Sequence, residues 1–333
     1  MRRAVPGLAL MSAILVAGLL PATAATPRPA RIAIFFYPWY GTPAADGEWR
    51  HWQQGDTSPP QLIASNYYPS RGAYSSSDAR VLRAQMAEIA AAGVNEVVTS
   101  WWGRGSPEDD RLALVTRAAR AKRLAVAIHL EPYGKRTAAS TAEDIRWLRG
   151  LGVRTFYVYD AERIAADEWA AALAAFPSLR LLAHTRLVGW AKRAGFDGIY
   201  TYTNADADDF ARLCTQARAA RLLCSPTVSP GFDARRAVGT RFVRPRRSGH
   251  TYDAQWCAAL RASPDLVTIA SYNEWHEGTQ IEPASSKPPG KRGTYRTYVG
   301  AYRLKGKVAE RAYVGRTAFW VKRYRAGVRA CPR

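Results

Sequence analysis

Two glutamates three residues apart, Glu274 and Glu277, are the side chains whose type and spacing point most directly to chemistry. They follow an apolar run at 266–272 that is typical of a buried strand, so the end of that strand would present both carboxyl groups together. Paired carboxyl groups in an aromatic setting commonly cleave glycosidic bonds, one acting as an acid and the other as a base or nucleophile. The alternative is a charged, solvated turn after a strand.

Short apolar runs alternate with Ala-rich stretches along the chain, and most of those stretches have apolar residues at helical spacing. The predicted strands are 31–37, 96–101, 124–130, 155–159, 179–184, 198–202, 222–227 and 266–272. The predicted helices are 77–92, 111–122, 142–148, 165–175, 188–194, 206–220, 252–261 and 309–324. This alternation predicts an α/β fold, specifically a single (β/α)8 barrel of the TIM type. The domain would span 25–333, with its core at about 31–325.

The active site of such a barrel lies at the C-terminal ends of its strands. Nearly every predicted end carries aromatic side chains beside hydrogen-bonding groups, in segments 37–41, 100–102, 129–133, 157–160, 184–186, 200–204 and 273–274. Aromatic rings stack on sugar faces while polar groups bind sugar hydroxyls, so this recurrence favours a carbohydrate cleft. Any one of these rings taken alone could equally be a core residue.

These strand-end motifs resemble those of glycoside hydrolase family 99, the endo-α-1,2-mannosidase and endo-α-1,2-mannanase family. The matching motifs are FYPWYG at 36–41, SWW at 100–102, HLEPY at 129–133, FYVYD at 156–160, GFDGIYTY at 195–202, PTVSPGF at 226–232 and NEWHEGTQIE at 273–282. They occur in the family's order between about 32 and 284. The resemblance implies a (β/α)8 barrel that cleaves internal α-1,2-mannosidic linkages with retention and needs no metal or other cofactor.

The resemblance also implies a division of labour between the two carboxyl groups. Glu277 would be the general acid/base, and Glu274 would be the base that acts on the 2-hydroxyl of the substrate itself. In an α-mannoside this hydroxyl and the leaving group are axial on opposite faces, so the hydroxyl is aligned for backside displacement. Deprotonation would give a 1,2-anhydro sugar that water then opens with overall retention, one of the substrate-assisted exceptions to the two-carboxylate scheme.

Further site residues are implied by the same resemblance. Asn273 would orient the sugar beside Glu274. The cleft would be lined by Tyr40, Trp101, Trp102, His129, Glu131, Tyr133, Tyr159 and Tyr202. Trp102 stands where mannose-preferring bacterial members carry Trp and the animal enzymes carry Tyr, which implies a mannan substrate.

Some of these assignments have structural alternatives. His129 could be a satisfied strand-end histidine, Glu131 could pair with an arginine, and His276 could bond a neighbouring strand without meeting substrate. Glu282 is expected to be peripheral. The segments 203–206 and 184–186 and the Arg-rich loop before 252–256 depart from the family pattern, which leaves chain-length preference and exact linkage open.

The N-terminal segment, 1–24, predicts a secretory signal peptide. Arg2 and Arg3 precede an apolar stretch at 8–20, and small residues at 22–24 suit cleavage after Ala24. The stretch is too short to favour a spanning helix, although a retained anchor is the alternative. No later stretch is long and apolar enough to cross a bilayer. We therefore expect a secreted protein without a transmembrane segment.

The formal net charge is +21, or +19 once Arg2 and Arg3 are removed. The basic residues are scattered, with local concentrations at 244–247 and 322–325, and they form no recognised nucleic-acid module. A solvated surface is therefore favoured over a nucleic-acid partner, while contact with anionic cell-wall polymers stays open. Four cysteines (Cys214, Cys224, Cys257 and Cys331) permit two disulfides in three pairings, and none has zinc-ligand spacing.

Other classes of function fit less well. A catalytically inactive carbohydrate-binding barrel of the cell surface would need the aromatics but not both carboxylates. A zinc hydrolase of the His-Glu-x-x-His type and a serine esterase with a Gly-x-Ser-x-Gly turn are both excluded, because neither motif occurs. The sequence therefore predicts a glycoside hydrolase.

Overall fold

The computed structural model describes residues 1, 31–202 and 207–331. Apart from Met1, the predicted signal peptide lies outside the described residues, and so does the predicted loop at 203–206. Within the described part, one parallel sheet has the strand order β7-β6-β5-β4-β3-β2-β1-β11-β8. Its strands are β1 (Arg31–Phe36), β2 (Glu96–Trp101), β3 (Ala125–Leu130), β4 (Thr155–Val158), β5 (Arg180–His184), β6 (Gly198–Tyr200), β7 (Leu223–Ser225), β8 (Thr227–Val228) and β11 (Leu266–Ile269).

The seventh barrel strand is divided, whereas the sequence predicts one strand at 222–227. Pro226 separates β7 from β8 and has no N–H to donate to a ladder. β7 pairs with β6, and β8 pairs with β11, so the two halves join the ends of the sheet. The Pro226 carbonyl accepts a hydrogen bond of 3.1 Å from the Thr268 N–H on β11. The predicted (β/α)8 barrel is thereby confirmed.

Helices cover the outside of the sheet and follow the barrel strands in turn. They are α2 (Ala79–Ala91), α3 (Pro107–Arg120), α4 (Ala138–Gly150), α5 (Ala166–Leu173), α6 (Val188–Arg193), α7 (Asp209–Ala219), α9 (His250–Arg261) and α10 (Ala312–Arg325). Short 3-10 turns lie at Ala161–Arg163, Arg247–Gly249, Ala301–Arg303 and Gly306–Arg311. None of the helices in the described residues is long and apolar enough to cross a bilayer.

The period of two in the strands divides the core into two layers. On β1, Ile32 and Ile34 face the helices, whereas Ala33 and Phe35 point into the barrel. Both faces of β1 are therefore buried, which explains its nearly continuous apolar sequence. Tyr37, the next inward residue, extends this alternation to the mouth of the barrel.

Additional elements lie outside the regular repeat. α1 (Pro43–Asp46) follows β1, and the antiparallel pair β9 (Phe232–Asp233) and β10 (Val243–Arg244) flanks α8 (Arg235–Val238) between β8 and α9. Two disulfides settle the pairing that the sequence leaves open. They join Cys214 to Cys224, and Cys257 to Cys331.

Candidate active site

The loop that carries both glutamates begins after β11 and is held at its base by backbone hydrogen bonds. The Ser271 N–H donates to the Thr279 carbonyl at 3.0 Å, and the Glu282 N–H donates to the Tyr272 carbonyl at 2.8 Å. Residues 273–278 therefore form a closed excursion rather than an open chain. We call residues 273–282 the catalytic loop, after the role proposed below for its two glutamates.

Asn273 and Tyr40 fix the backbone on both sides of Glu274. The Asn273 side chain accepts from the Tyr37 N–H at 2.8 Å and donates to the Tyr37 carbonyl at 2.9 Å. The Tyr40 hydroxyl donates to the Asn273 carbonyl at 2.9 Å and accepts from the Trp275 N–H at 3.1 Å. All of these groups are buried, so the backbone at Glu274 is held in one position.

The Glu274 carboxyl group has one satisfied oxygen and one without a partner. Oε1 accepts from the His276 N–H at 3.0 Å and from the Glu277 N–H at 3.2 Å. Oε2 is buried and has no hydrogen-bond partner among the described residues. A buried oxygen left without a donor is ready to accept a proton or a hydrogen bond from a bound molecule.

Glu277 lies at the end of a short chain of hydroxyl groups. The Tyr202 hydroxyl donates to Glu277 Oε2 at 3.3 Å, and the hydroxyl groups of Tyr202 and Tyr37 are in hydrogen-bond contact. The Glu277 backbone carbonyl accepts from the Asp233 N–H at 2.7 Å. Both the carboxyl group and the backbone of Glu277 are therefore oriented by neighbouring strands.

Burial sets the protonation of the pair. It raises the pKa of Glu277 to about 7, with a further contribution from Glu131, while the hydrogen bond from Tyr202 opposes the rise. Burial, followed by repulsion from Glu277, raises the pKa of Glu274 well above its usual value, and two backbone N–H groups oppose that rise. The pair therefore retains a proton near neutral pH, as an acid and base acting together require.

A cavity of about 260 Å³ brings both glutamates together with aromatic and polar side chains. Of the residues predicted from the sequence, its walls contain Trp102, His129, Glu131, Tyr159, Tyr202, Glu274 and Glu277. They come from the C-terminal ends of β2, β3, β4, β6 and β11. This volume lies just below the roughly 300–1,000 Å³ that is typical of small-molecule pockets, so the cavity can enclose only part of a glycan chain.

His129 and Glu131 form a polar pair on the β3 side of this cavity. His129 Nδ1 lies 2.9 Å from Glu131 Oε1, and His129 Nε2 lies 2.9 Å from the Tyr200 hydroxyl. The Ser100 hydroxyl donates to Glu131 Oε1 at 2.8 Å. The Glu131 carboxyl group therefore accepts a hydrogen bond from Ser100 and lies close to His129, whose Nδ1 has no hydrogen bond of good geometry. Within the described residues, no arginine forms an ion pair with it.

Four predicted site residues do not reach the cavity wall. Trp101 belongs to the outer core, because the alternation along β2 turns Ser100 inward and Trp101 toward the helices, where it stacks on Trp147. The Tyr133 hydroxyl instead contacts Asp144 on α4. Asn273 and Tyr40 are buried beneath Glu274. None of these four is among the residues that line the cavity, and the last two hold the backbone of the catalytic loop. The substrate-binding role of all four stays a prediction.

The cavity also has walls that sequence reasoning missed, namely Tyr37, Trp39, Pro132, Phe232, Ala234, Val238 and His276. Tyr37 was detectable, since it continues the inward alternation of β1. His276 does bond a neighbouring segment, through the His51 carbonyl, but its ring also faces the cavity. Burial lowers its pKa to about 4, so the ring is neutral at physiological pH. Phe232 and Val238 come from the β9–β10 insertion, for which the sequence has no periodic signal.

Comparison with known proteins places this site in a family. The sequence model of glycosyl hydrolase family 99 matches residues 29–326. This chain belongs to glycosyl hydrolase family 99. It is 32% identical to the glycoprotein endo-alpha-1,2-mannosidase-like protein of Danio rerio, across 77% of this chain and 71% of that protein. It is 30% identical to glycoprotein endo-alpha-1,2-mannosidase of Mus musculus, across 76% and 68% respectively.

A solved structure agrees with this membership. The GH99 endo-alpha-mannosidase from Bacteroides thetaiotaomicron is 28% identical and superposes with a TM-score of 0.79, over 90% of this chain and 99% of that one. As a family 99 member, the chain is a glycoside hydrolase, which confirms the predicted enzyme class. Within the described residues, no cluster of three or more His, Cys, Asp or Glu side chains has the arrangement of a metal site.

The buried charge of this family 99 site predicts a pH-dependent stability. The pKa of Glu277 is about 7 in the folded protein against a usual 4.5, so folding is opposed by the charged form above pH 7 and not below pH 4.5. We expect Glu277→Gln to raise the free energy of unfolding at pH 8.5 by on the order of 1–3 kcal/mol. The gain should shrink at pH 5, as measured by urea denaturation at both pH values. An equal change in the free energy of unfolding at pH 5 and pH 8.5 would contradict a raised pKa at Glu277.

Proposed function

We propose that this chain is an exported, retaining, endo-acting glycoside hydrolase that cleaves internal α-1,2-mannosidic linkages in mannan or mannose-containing glycans. The relatives named above carry the name endo-alpha-1,2-mannosidase, which supports the substrate class. The observation that carries the mechanism is the pair of carboxyl groups at the cavity, with Glu274 buried and Glu277 half-buried. One oxygen of Glu274 has no partner among the described residues, and the pKa of Glu277 is about 7.

In the first step, Glu274 removes the proton of the substrate 2-hydroxyl and O2 attacks C1 from the face opposite the leaving group. The C1–O bond breaks, and Glu277 donates its proton to the departing oxygen. In the second step, Glu277 takes a proton from water as that water attacks C1, the C1–O2 bond opens, and Glu274 returns the proton to O2. Two displacements at C1 leave the α configuration unchanged.

Hydrogen bonds within the site favour this distribution of charge. Two backbone N–H groups donate to Glu274 Oε1 and stabilise its carboxylate, whereas Glu277 receives one long hydrogen bond from Tyr202. The reactive form in this proposal is the pair with its charge on Glu274 and its proton on Glu277. In the free site, burial and the charge of Glu277 raise the pKa of Glu274 and oppose this distribution, so the substrate 2-hydroxyl must supply the hydrogen bond that Glu274 Oε2 otherwise lacks. The neutral His276 beside them adds no competing positive charge.

The proposal is tested by incubating the mature protein with α-1,2-branched mannan and separating the products by chromatography and mass spectrometry. Release of oligosaccharides is expected, with no change after chelator treatment. Binding of mannan without release would favour the inactive carbohydrate-binding barrel, and loss of activity with chelator would reopen a metal-dependent mechanism. A persistent electrophoretic shift with random DNA at moderate salt would instead revive a nucleic-acid partner.

Trp102 provides a prediction about specificity. The residue is 37% exposed at the edge of the cavity, where it can meet the sugar that precedes the cleaved residue. We expect Trp102→Tyr to lower the preference for mannose over glucose at that position by about tenfold, the scale of a single side-chain difference in a pocket. The measurement compares kcat/KM for the two matched oligosaccharides. Trp101→Phe, in the outer core, should leave the preference unchanged.

Export and surface contacts are parts of the proposal that rest on the sequence. The 1–24 segment would be removed after Ala24, and the strongly basic mature protein would meet anionic cell-wall polymers through nonspecific attraction. N-terminal sequencing of protein recovered from culture medium tests the first point. A mature chain that retains Arg2 and Arg3 would contradict it.

A further inference from the structure

A buried arginine outside the cavity contacts the catalytic loop directly. Arg246 follows β10 and is 8% exposed. Its guanidinium group lies over three tyrosine rings, 4.8 Å from the centre of Tyr67, 4.9 Å from Tyr298 and 4.4 Å from Tyr313. Contacts of this length to ring faces stabilise a desolvated cation, so the tyrosines replace the carboxylate that usually accompanies a buried arginine.

Arg246 donates hydrogen bonds to the backbone of the catalytic loop. Arg246 Nη2 donates to the Gly278 carbonyl at 2.9 Å and to the Gln280 carbonyl at 2.6 Å. The hydroxyl group of Tyr298, from the same ring cluster, shares its one hydrogen between the carbonyls of Gln280 and Glu282, each at 3.1 Å. Nε and Nη1 have no hydrogen-bond partner among the described residues. The guanidinium group therefore binds the second half of the catalytic loop, residues 278–282, which we call the return arm.

The approach of this side chain depends on a glycine in the β8–β9 connection. A Cβ added at Gly231 would lie 2.8 Å from Arg246 Cγ and 2.8 Å from the Arg244 carbonyl. That distance is shorter than real Cβ contacts, so a larger residue would displace the arginine stem or the backbone. Gly231 thus offers a second way to disturb the same contact without changing the cation.

The backbones of the two glutamates have different supports, although the Glu277 N–H also donates to Glu274 Oε1 at 3.2 Å. Gly278 directly follows Glu277, whose own carbonyl is held by the Asp233 N–H at 2.7 Å. Glu274 is held from the other side, by Tyr40 and Asn273. A shift of the return arm therefore moves Glu277 before it moves Glu274.

We propose that Arg246 is a positioning residue for Glu277, acting through the Gly278 and Gln280 carbonyls to keep the acid at the leaving oxygen. This inference rests on the proposed function, in which Glu277 protonates the leaving group. A misplacement of about 1 Å at a reacting group costs on the order of 10²-fold in rate, so the effect is large enough to measure. The loss of rate should be confined to substrates whose leaving group needs the proton donated by Glu277.

The test compares kcat/KM for an α-1,2-linked mannose oligosaccharide and for α-mannobiosyl fluoride, whose fluoride departs with little proton assistance. Arg246→Met should lose about 10²-fold on the oligosaccharide and less than about tenfold on the fluoride. Arg246→Lys should fall between Arg246→Met and the unchanged protein, because the ammonium keeps the charge but forms fewer of the bonds.

Arg316 provides the matched control. Its guanidinium also lies over aromatic rings, yet it pairs with Asp253 at 2.7 Å. The rings are those of Tyr302, Phe319 and Trp320. Arg316→Met removes a comparable arginine–aromatic contact away from the catalytic loop, so it should change the two substrates by the same factor.

Each outcome bears on the proposal. Equal losses on the two substrates in Arg246→Met, or no loss, would overturn the positioning role, as would the same differential in Arg316→Met. If Arg246→Met does not fold, Arg246→Lys and Gly231→Ala carry the comparison with the same expected direction. Glu277→Gln is measured alongside. If Glu277→Gln leaves the ratio of kcat/KM on the two substrates unchanged, the assignment of Glu277 as the acid is overturned. If Glu277→Gln changes that ratio but the Arg246 variants do not, only the inference about Arg246 is overturned.

Discussion

Glu277→Gln is expected to lower kcat/KM on an unactivated α-1,2-mannose oligosaccharide by about 10²–10⁴, the usual contribution of one general acid. The amide cannot donate a proton from an acidic group, although its shape still fits beside Tyr202. With α-mannobiosyl fluoride the loss should be less than about tenfold, since kcat/KM covers steps only through the first bond cleavage. Binding of the oligosaccharide, measured by calorimetry, should be nearly unchanged.

Glu282→Gln is the matched control for this prediction. Glu282 belongs to the same loop, is completely buried and contacts Tyr74, Gln85 and Arg71 away from the cavity. It also accepts a 2.9 Å hydrogen bond from the Trp275 indole N–H inside the loop, a bond that the side-chain oxygen of Gln can still accept. Replacing the Glu282 carboxylate with an amide should lower the free energy of unfolding and leave the ratio of kcat/KM on the two substrates unchanged. Rates like those of the unchanged protein in Glu277→Gln would remove Glu277 from the role of acid.

Glu274→Gln is expected to lose about 10²–10⁴ in kcat/KM on both substrates, because deprotonation of the 2-hydroxyl is needed whichever group leaves. The oxygen that would take this proton is Oε2, which has no other partner among the described residues. An amide nitrogen at that position would present hydrogens instead of a lone pair. The two variants should therefore differ in how the fluoride responds.

The outcome that contradicts this second prediction is equally specific. If the fluoride were cleaved at the normal rate by Glu274→Gln, the 2-hydroxyl would need no base in the first step. Asn273→Ser, which removes a support beneath Glu274, should give a smaller loss with the same lack of rescue. A selective loss on the oligosaccharide in that variant would indicate that the support serves Glu277 instead.

The barrel was predictable because its signals are local and repeated. On β1 the alternation of Ile32 and Ile34 with Ala33 and Phe35 satisfies two packed layers at once. Helix starts were harder to predict. α3 begins at Pro107, whereas the sequence predicts a start at 111. The prediction is late because the acidic first turn has no apolar residues at helical spacing. The cap was visible in the sequence as Ser106, whose hydroxyl accepts a 3.2 Å hydrogen bond from the Asp109 N–H.

The site was predictable only in part. Glu274 and Glu277 are neighbours in sequence, so one strand end delivers both. Trp101 and Trp102 look alike in the sequence, but strand alternation buries the first in the outer layer and leaves the second at the cavity. Contacts across long sequence separations, such as Arg246 with the catalytic loop, have no local signal. The pKa of about 7 at Glu277 likewise depends on burial by several strands together.

The measurement that tests the central claim most directly is the anomeric configuration of the first product. Hydrolysis of an α-1,2-mannose oligosaccharide is followed by proton NMR from the first minutes, before mutarotation mixes the anomers. Two displacements through a 1,2-anhydro sugar predict that the new reducing end appears first as the α anomer and only later as β. A β anomer as the initial product would contradict the account, because it requires a single direct attack by water.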